Sequence, residues 1–212
     1  MKKYLIKVMA GVLILGQLMS TSSFAITADE DSRVLTEEQK EVIYEKIEEI
    51  NSRYDYGEPF SKEDQVFIEK YVPMLNKKNS SDIGIMNSQG FYNSNTSSDG
   101  LVTAVISGTA TNEQLSPLQH SFGANYTTSV HVAGRPYLKK IEAEVNCSAY
   151  GAVGSNGQLG KIYDKTLKDS TTSFVLNFNQ VENYSGFVVY AVVNVKSIIT
   201  YTYGSFSVNA TF

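Results

Sequence analysis

The spacing of the hydrophobic residues changes once along the chain, from a helical period to a strand period. Ile43, Ile47 and Ile50 recur at intervals of four and three residues, with glutamates and lysines between them. That pattern predicts an amphipathic helix. From Leu101 onward apolar and polar residues alternate, which is typical of antiparallel strands that turn one face to a core.

The helical part reads as a hairpin of two helices. Thr36 is followed three residues later by Gln39, which is the pattern of a capping box, and Ser61 with Asp64 repeats it. Pro73 is expected to end the second helix. Residues 26–75 therefore predict an acidic helical hairpin, and its single apolar seam requires a surface to pack on.

The alternating part, residues 101–212, predicts six to eight strands. The stretches "GSNGQLG" and "ENYSG" supply turns between them, and the strand spacing favours two packed antiparallel sheets. The predicted fold is mainly β, an antiparallel β-sandwich of immunoglobulin-like size preceded by a short helical hairpin. A small barrel is the alternative.

The first 25 residues have the pattern of a secretory signal peptide. Lys2, Lys3 and Lys7 precede an apolar run, and Ser23 and Ala25 occupy the −3 and −1 positions of a cleavage site. The apolar run is short for a membrane span, and the rest of the chain holds no other stretch of that length. We expect cleavage after Ala25, a secreted extracellular protein and no transmembrane segment in the mature chain.

Residues 76–100 are rich in Ser, Asn and Gly, and this composition predicts a linker between the hairpin and the sandwich. A linker of this kind is open to proteolysis. Two roles for residues 26–75 follow. They form either a removable pro-segment that covers part of the β domain, or a permanent accessory.

Charge and cysteine content narrow the class of protein. Without residues 1–25 the chain carries 15 basic and 22 acidic residues, and most of the excess acid lies in residues 26–78. No basic patch is evident, so nucleic acid is not an expected partner. The single cysteine, Cys147, excludes an internal disulfide. Because exported proteins without disulfides are common in bacteria, we expect a bacterial source.

No arrangement of residues predicts catalysis, a cofactor or a metal. Cys147 lies on the apolar phase of its strand and is expected in the core. Neither His120 nor His131 has the spacing of a zinc ligand, so neither is expected to bind a metal. His131 lies on the polar phase of its strand, and both are expected to be surface histidines. Glu142 and Glu144 are neighbours on one strand face, which is typical of ordinary strand surface rather than of a glycosidase pair.

Tyrosines offer the one candidate binding surface. Tyr184, Tyr190, Tyr201 and Tyr203 cluster late in the chain, and exposed tyrosines can contact sugars or proteins. The sequence favours a secreted, non-enzymatic β-sandwich that binds or assembles at a cell surface or in extracellular matrix. Its partner would be a second copy, a cell-surface protein or a glycan. The alternative is a β-rich toxin or pore-forming protein made as a pro-form with a removable helical leader.

Overall fold

The computed structural model describes residues 35–75 and 88–212. Helix α1 is Glu37–Arg53, helix α2 is Lys62–Leu75 and a short 3-10 helix is Val132–Tyr137. The strands in chain order are β1 Ser88–Thr96, β2 Thr103–Ser116, β3 Gln119–Val130, β4 Leu138–Val153, β5 Gln158–Thr171, β6 Val175–Ser185, β7 Val188–Tyr201 and β8 Gly204–Thr211.

Both helices begin where side chains satisfy free backbone N–H groups. The Thr36 hydroxyl accepts from the Gln39 N–H at 3.2 Å, and the Gln39 side chain accepts from the Thr36 N–H at 2.9 Å, which confirms the predicted capping box. In the second helix the Asp64 N–H donates to the Ser61 hydroxyl at 3.2 Å. Pro73 lies inside α2 rather than ending it, so the predicted boundary was wrong by two residues.

The strands form two antiparallel sheets of four strands each. The first sheet has the order β1-β2-β3-β6, and the second has the order β5-β4-β7-β8. The main core lies between them and is built from the inward residues of both sheets, with Phe122, Tyr126 and Phe178 among its largest side chains. The predicted antiparallel β-sandwich behind a helical hairpin is confirmed.

The helical hairpin packs on the outer face of the second sheet and makes a second core there. Ile47, Ile50 and Ile68 are fully buried in this cluster, against Tyr150 of β4 and Val192 of β7. The predicted apolar seam thus meets a strand surface. Tyr150, Leu159 and Val192 form the apolar part of that surface. The alternation in β4 had instead predicted that the residues between its core positions face solvent.

The predicted linker is partly a strand. Residues 88–96 form β1, which pairs with β2 along its whole length. The rest of the sandwich provides seven strands after residue 101, in agreement with the prediction of six to eight. Residues 76–87 and the predicted signal peptide, residues 1–25, lie outside the described residues. Within the described parts no helix is both long and apolar enough to cross a membrane.

Candidate functional site

A polar groove runs along helix α1 where it meets the second sheet. One section is a cavity of about 300 Å³ and the adjoining section is about 250 Å³, and both are lined by Glu41 and Asn209. The larger section is lined by side chains from α1 and from the second sheet: Glu41, Tyr44, Glu45, Glu48, Glu144, Asn146, Thr166, Asn194, Lys196 and Asn209.

Much of this lining is engaged in holding the helix to the sheet. The Tyr44 hydroxyl donates to Asn146 Oδ1 at 2.9 Å, and Asn146 Nδ2 donates in turn to Asp164 Oδ1 at 3.0 Å. Asn209 Nδ2 donates to Glu41 Oε1 at 2.8 Å. These hydrogen bonds give the groove a structural purpose, and they reduce what its side chains offer to a ligand.

Beneath the groove, a buried asparagine joins the hairpin to strand β4. Asn51 Nδ2 donates to the Ser148 hydroxyl at 2.9 Å, and Asn51 Oδ1 accepts from the Tyr150 hydroxyl at 3.1 Å. The backbone oxygen of Asn51 accepts from Lys161 Nζ at 2.7 Å. All four residues are buried, so each of these hydrogen bonds replaces one that water would otherwise make.

Several ionisable groups under and beside the hairpin have altered pKa values. Burial raises the pKa of the Tyr150 and Tyr44 hydroxyls. Glu48 as a whole residue is exposed, but partial burial of its carboxyl group and the nearby charge of Asp164 raise its pKa, with hydrogen bonds from Tyr44 and Asn51 opposing the shift. The Tyr44 and Tyr150 hydroxyls each donate a hydrogen bond across the interface between α1 and β4, so these two groups serve the attachment of the helix.

The four predicted tyrosines do not form one surface. Tyr184 and Tyr201 are each 6% exposed, and Tyr190 is half-buried against the hairpin core. Tyr203 alone is open, at 67% exposure in the turn between β7 and β8. The prediction of a common tyrosine surface is therefore wrong, because strand alternation turns these side chains to different layers of the sandwich.

The outer face of the first sheet is a different kind of surface. The hairpin packs on the second sheet, and no described element packs on this face. Most of its cross-strand rows carry hydroxyl and amide groups, as in the row Tyr92, Ser107, Thr127 and Asn177. The valines of this face are Val105, Val175 and Val181. Same-face neighbours are about 4.8 Å apart across strands and about 7 Å apart along them, so these groups form a regular array.

This face also carries almost no charge. The strands of the first sheet contain no lysine or arginine, and their only acidic residues are Glu113 and Glu182. Glu182 lies on the inward phase opposite Phe122 and is paired with Lys165 of β5, so Glu113 is the one outward carboxylate of these strands. Tyr92 is the large aromatic side chain of this face and is 71% exposed. The array can therefore donate and accept hydrogen bonds to a neutral polar ligand.

The residues considered for catalysis are placed elsewhere. Cys147 is fully buried in the main core, as predicted, and burial raises the pKa of its thiol to about 12. His131 is exposed, but His120 is only 1% exposed and stacks on Tyr184 at 5.2 Å between ring centroids, so its predicted surface position was wrong. Among the described residues no group of three or more His, Cys, Asp or Glu side chains is arranged to hold a metal ion.

Comparisons with known proteins add no assignment. The chain matches no protein-family model, and no curated protein matches it significantly.

Proposed function

We propose that the chain is a secreted, non-enzymatic β-sandwich protein that binds a neutral polysaccharide of a cell surface or extracellular matrix. The outer face of the first sheet is the binding surface. One observation carries the proposal: among residues 35–75 and 88–212 nothing packs on this face, which presents hydroxyl and amide groups around Tyr92, and Glu113 is its one charge without a partner there.

The chemistry of the face selects the class of ligand. A charged ligand would lack counter-charges there, since the strands of this sheet contain no Lys or Arg. A neutral sugar chain presents many hydroxyl groups, and serine, threonine and asparagine side chains can both donate to and accept from them. An exposed tyrosine ring adds an apolar surface at low cost in conformational entropy.

The test is affinity electrophoresis of the purified protein in gels that contain a soluble neutral β-glucan, xylan or mannan. We expect retardation by at least one of them, and Tyr92→Ala should weaken it at least about fivefold, or roughly 1 kcal/mol. Tyr203→Ala is the matched control, because Tyr203 is similarly exposed (67%) but lies in a turn of the other sheet.

Two results would overturn this assignment. No retardation with any neutral polysaccharide would remove the proposed ligand class. Retardation that is lost with Tyr203→Ala and kept with Tyr92→Ala would move the binding surface to the β7–β8 turn.

A second candidate function is a pore-forming protein made as a pro-form. It is favoured by the observation that the hairpin covers an apolar patch of the second sheet that includes Tyr150, Leu159 and Val192. Dye release from liposomes, measured before and after limited proteolysis, tests it. Release that appears only after the hairpin has been removed would support this candidate, and intact vesicles in both cases would exclude it.

A further inference from the structure

The two sheets differ in how their edges are closed. In the second sheet the edge of β5 is covered, because the Gly57 and Phe60 N–H groups donate to the oxygens of Lys161 and Leu159 at 3.0 and 2.9 Å. Gln180 Nε2 continues this cover with a bond to the Lys168 oxygen at 3.1 Å.

The other edge of the second sheet, β8, is closed by asparagines of β1. Asn93 Nδ2 donates to the Asn209 oxygen at 2.5 Å, and Asn95 Nδ2 donates to the Ser207 oxygen at 2.8 Å. Side chains of the first sheet thus occupy backbone acceptors of the second. The first sheet contributes this cover and has no equivalent one among the described residues.

Strand β6 is one open edge of the first sheet. In an antiparallel ladder, hydrogen-bonded pairs alternate along each strand. The Val130 N–H donates to the Phe174 oxygen, and the Gly186 N–H donates to the Leu118 oxygen. The even-numbered residues of β6 are therefore the ones whose backbone groups form hydrogen bonds with β3. The odd-numbered residues, such as Asn179 and Val181, direct their N–H and C=O groups outward, and no described residue bonds them.

Strand β1 is the other open edge. The Ser97 N–H donates to the Val102 oxygen at 2.8 Å. The odd-numbered residues of β1 are therefore the ones whose backbone groups form hydrogen bonds with β2. The backbone groups of the even-numbered residues, including Gly90, Tyr92 and Ser94, point outward. The one bond to them within the described chain is local, from the Thr96 N–H to the Asn95 side chain.

Both edges lack most of the features that usually prevent strands from pairing between molecules. Natural edge strands are commonly short, interrupted by a bulge, or marked by lysine, proline or an inward-pointing charge. Here β6 has 11 residues and β1 has 9, neither contains Lys or Pro, and both keep an unshifted register with their neighbours. Strand β6 has one charge on its inward phase, Glu182, and this charge is already paired with Lys165 of the same chain.

The two edges also match each other. With four antiparallel strands, β1 and β6 run in opposite directions, so a second copy displaced sideways places its β1 antiparallel to β6 of the first. In both strands, the residues whose backbone N–H and C=O groups point away from the sheet edge have their side chains on the outer face of the sheet. The row Ser94, Val105, Ser129 and Val175 shows this, since it joins such a residue of β1 to one of β6. Paired residues share a face, so the outer faces of the two copies would be continuous.

We propose that this chain assembles with further copies of itself, head to tail, by antiparallel pairing of β6 of one copy with β1 of the next. The contact is heterologous and each copy keeps a free edge, so the product is an open-ended filament rather than a closed dimer. This inference goes beyond the proposed polysaccharide binding and is independent of it. In the filament the hydroxyl-rich face repeats along one side.

The experiment blocks each edge separately. Asn179→Pro removes an outward N–H of β6, and Ser94→Pro removes an outward N–H of β1, and neither change takes a bond from the sheet itself. By sedimentation velocity, the wild-type protein should form oligomers that grow with concentration. Each variant should be monomeric, and an equimolar mixture should form a dimer through the remaining β6 of one and β1 of the other.

A second pair of variants tests the same edge by charge. Asn179→Lys adds a positive charge on the edge strand β6. Asn125→Lys adds the same charge in the same cross-strand row, but on the central strand β3. Asn179→Lys should lower the oligomer fraction at least fivefold, and Asn125→Lys should leave it unchanged. Circular dichroism of all variants checks that each has the wild-type strand content.

Three results would overturn the proposal. One is a wild-type protein that stays monomeric at every concentration tested. Another is a Ser94→Pro variant that dimerises alone, which would indicate two-fold pairing of β6 with β6. The third is equal loss of oligomers in Asn125→Lys and Asn179→Lys, which would place the contact on the face instead of the edge.

Discussion

The hydroxyl of Tyr150 in strand β4 donates a 3.1 Å hydrogen bond to the side-chain oxygen of Asn51 in helix α1, across 99 positions of sequence. Both residues are buried, and the asparagine amide nitrogen bonds Ser148 of the same strand. One side chain therefore pairs with two buried hydroxyls of the sheet. The helical hairpin is bound by a specific polar contact as well as by its apolar seam.

We predict that Asn51→Ala lowers the free energy of unfolding by about 2 kcal/mol, because leaving a buried polar partner unpaired costs roughly 1–3 kcal/mol. Urea denaturation followed by circular dichroism measures it. Glu45→Ala, at an exposed side chain of the same helix, is the control and should change stability by less than about 0.5 kcal/mol. Equal effects of the two variants would contradict a specific role for Asn51.

Acid should weaken the hairpin through Asp64. Burial acts to raise its pKa, but hydrogen bonds from Tyr54 and Ser61 and the Arg53 guanidinium 2.8 Å away lower it below the ordinary 3.8. A carboxyl group with a lowered pKa in the folded state stabilises the fold above its unfolded pKa. That contribution is lost as the pH falls below about 3.8, through the folded pKa.

Asp64→Asn therefore should destabilise the protein by roughly 2 kcal/mol at pH 7, the range for hydrogen bonds to a charged group. The difference from wild type should shrink as the pH is lowered from 5 towards 2, measured by thermal unfolding at each pH. Glu63→Gln removes an exposed carboxylate from the same helical turn and should show no such convergence. A constant difference at all pH values would refute the role assigned to the Asp64 charge.

The elements with strong local signals were predictable from the sequence. The capping residues Thr36 and Gln39 bond as their spacing indicates, and the alternation through Ile141, Val145 and Cys147 places these side chains in the core. The capping box and the two-residue alternation depend on residues that are close together in the sequence. Both the sandwich and the amphipathic hairpin follow from them.

What the sequence did not predict depends on contacts between distant segments. Strand β1 consists largely of Ser, Gln, Gly and Asn, which reads as a loop, but Asn93 and Asn95 are used to close the β8 edge. The polar phase of β4 looked solvent-exposed, yet Ser148 is fully buried under the hairpin. His120 is buried by its stack on Tyr184, a partner 64 positions away.

The candidate surface was missed for the same reason. Residues such as Ser107, Thr127 and Asn177 come from separate strands, and their common row exists only in the folded register. Frequent Ser, Thr and Asn in an alternating chain are typical of exposed strand faces, but they do not show which face is exposed. Which face stays uncovered is decided by the docking of the hairpin on the other sheet.

The thiol of Cys147 should be unreactive in the folded protein. It is fully buried, and burial raises its pKa to about 12, so very little thiolate exists at pH 8. Labelling with iodoacetamide, followed by mass spectrometry, should give less than about a tenth of the modification seen in 8 M urea, where a free cysteine has a pKa near 8.5. Rapid modification under native conditions would show that the thiol is accessible, and would reopen the question of catalysis.

The hairpin should remain part of the mature protein. Its removal would expose Tyr150, Leu159 and Val192 to water, and would leave Lys161 without the Asn51 oxygen that it bonds at 2.7 Å. We therefore expect the protein recovered from the medium of its host to begin at Ile26, as determined by intact mass and N-terminal sequencing. A new terminus between residues 76 and 101 would show that the hairpin is removed. That outcome would favour the pro-form, and the liposome assay should then be made on the shorter product.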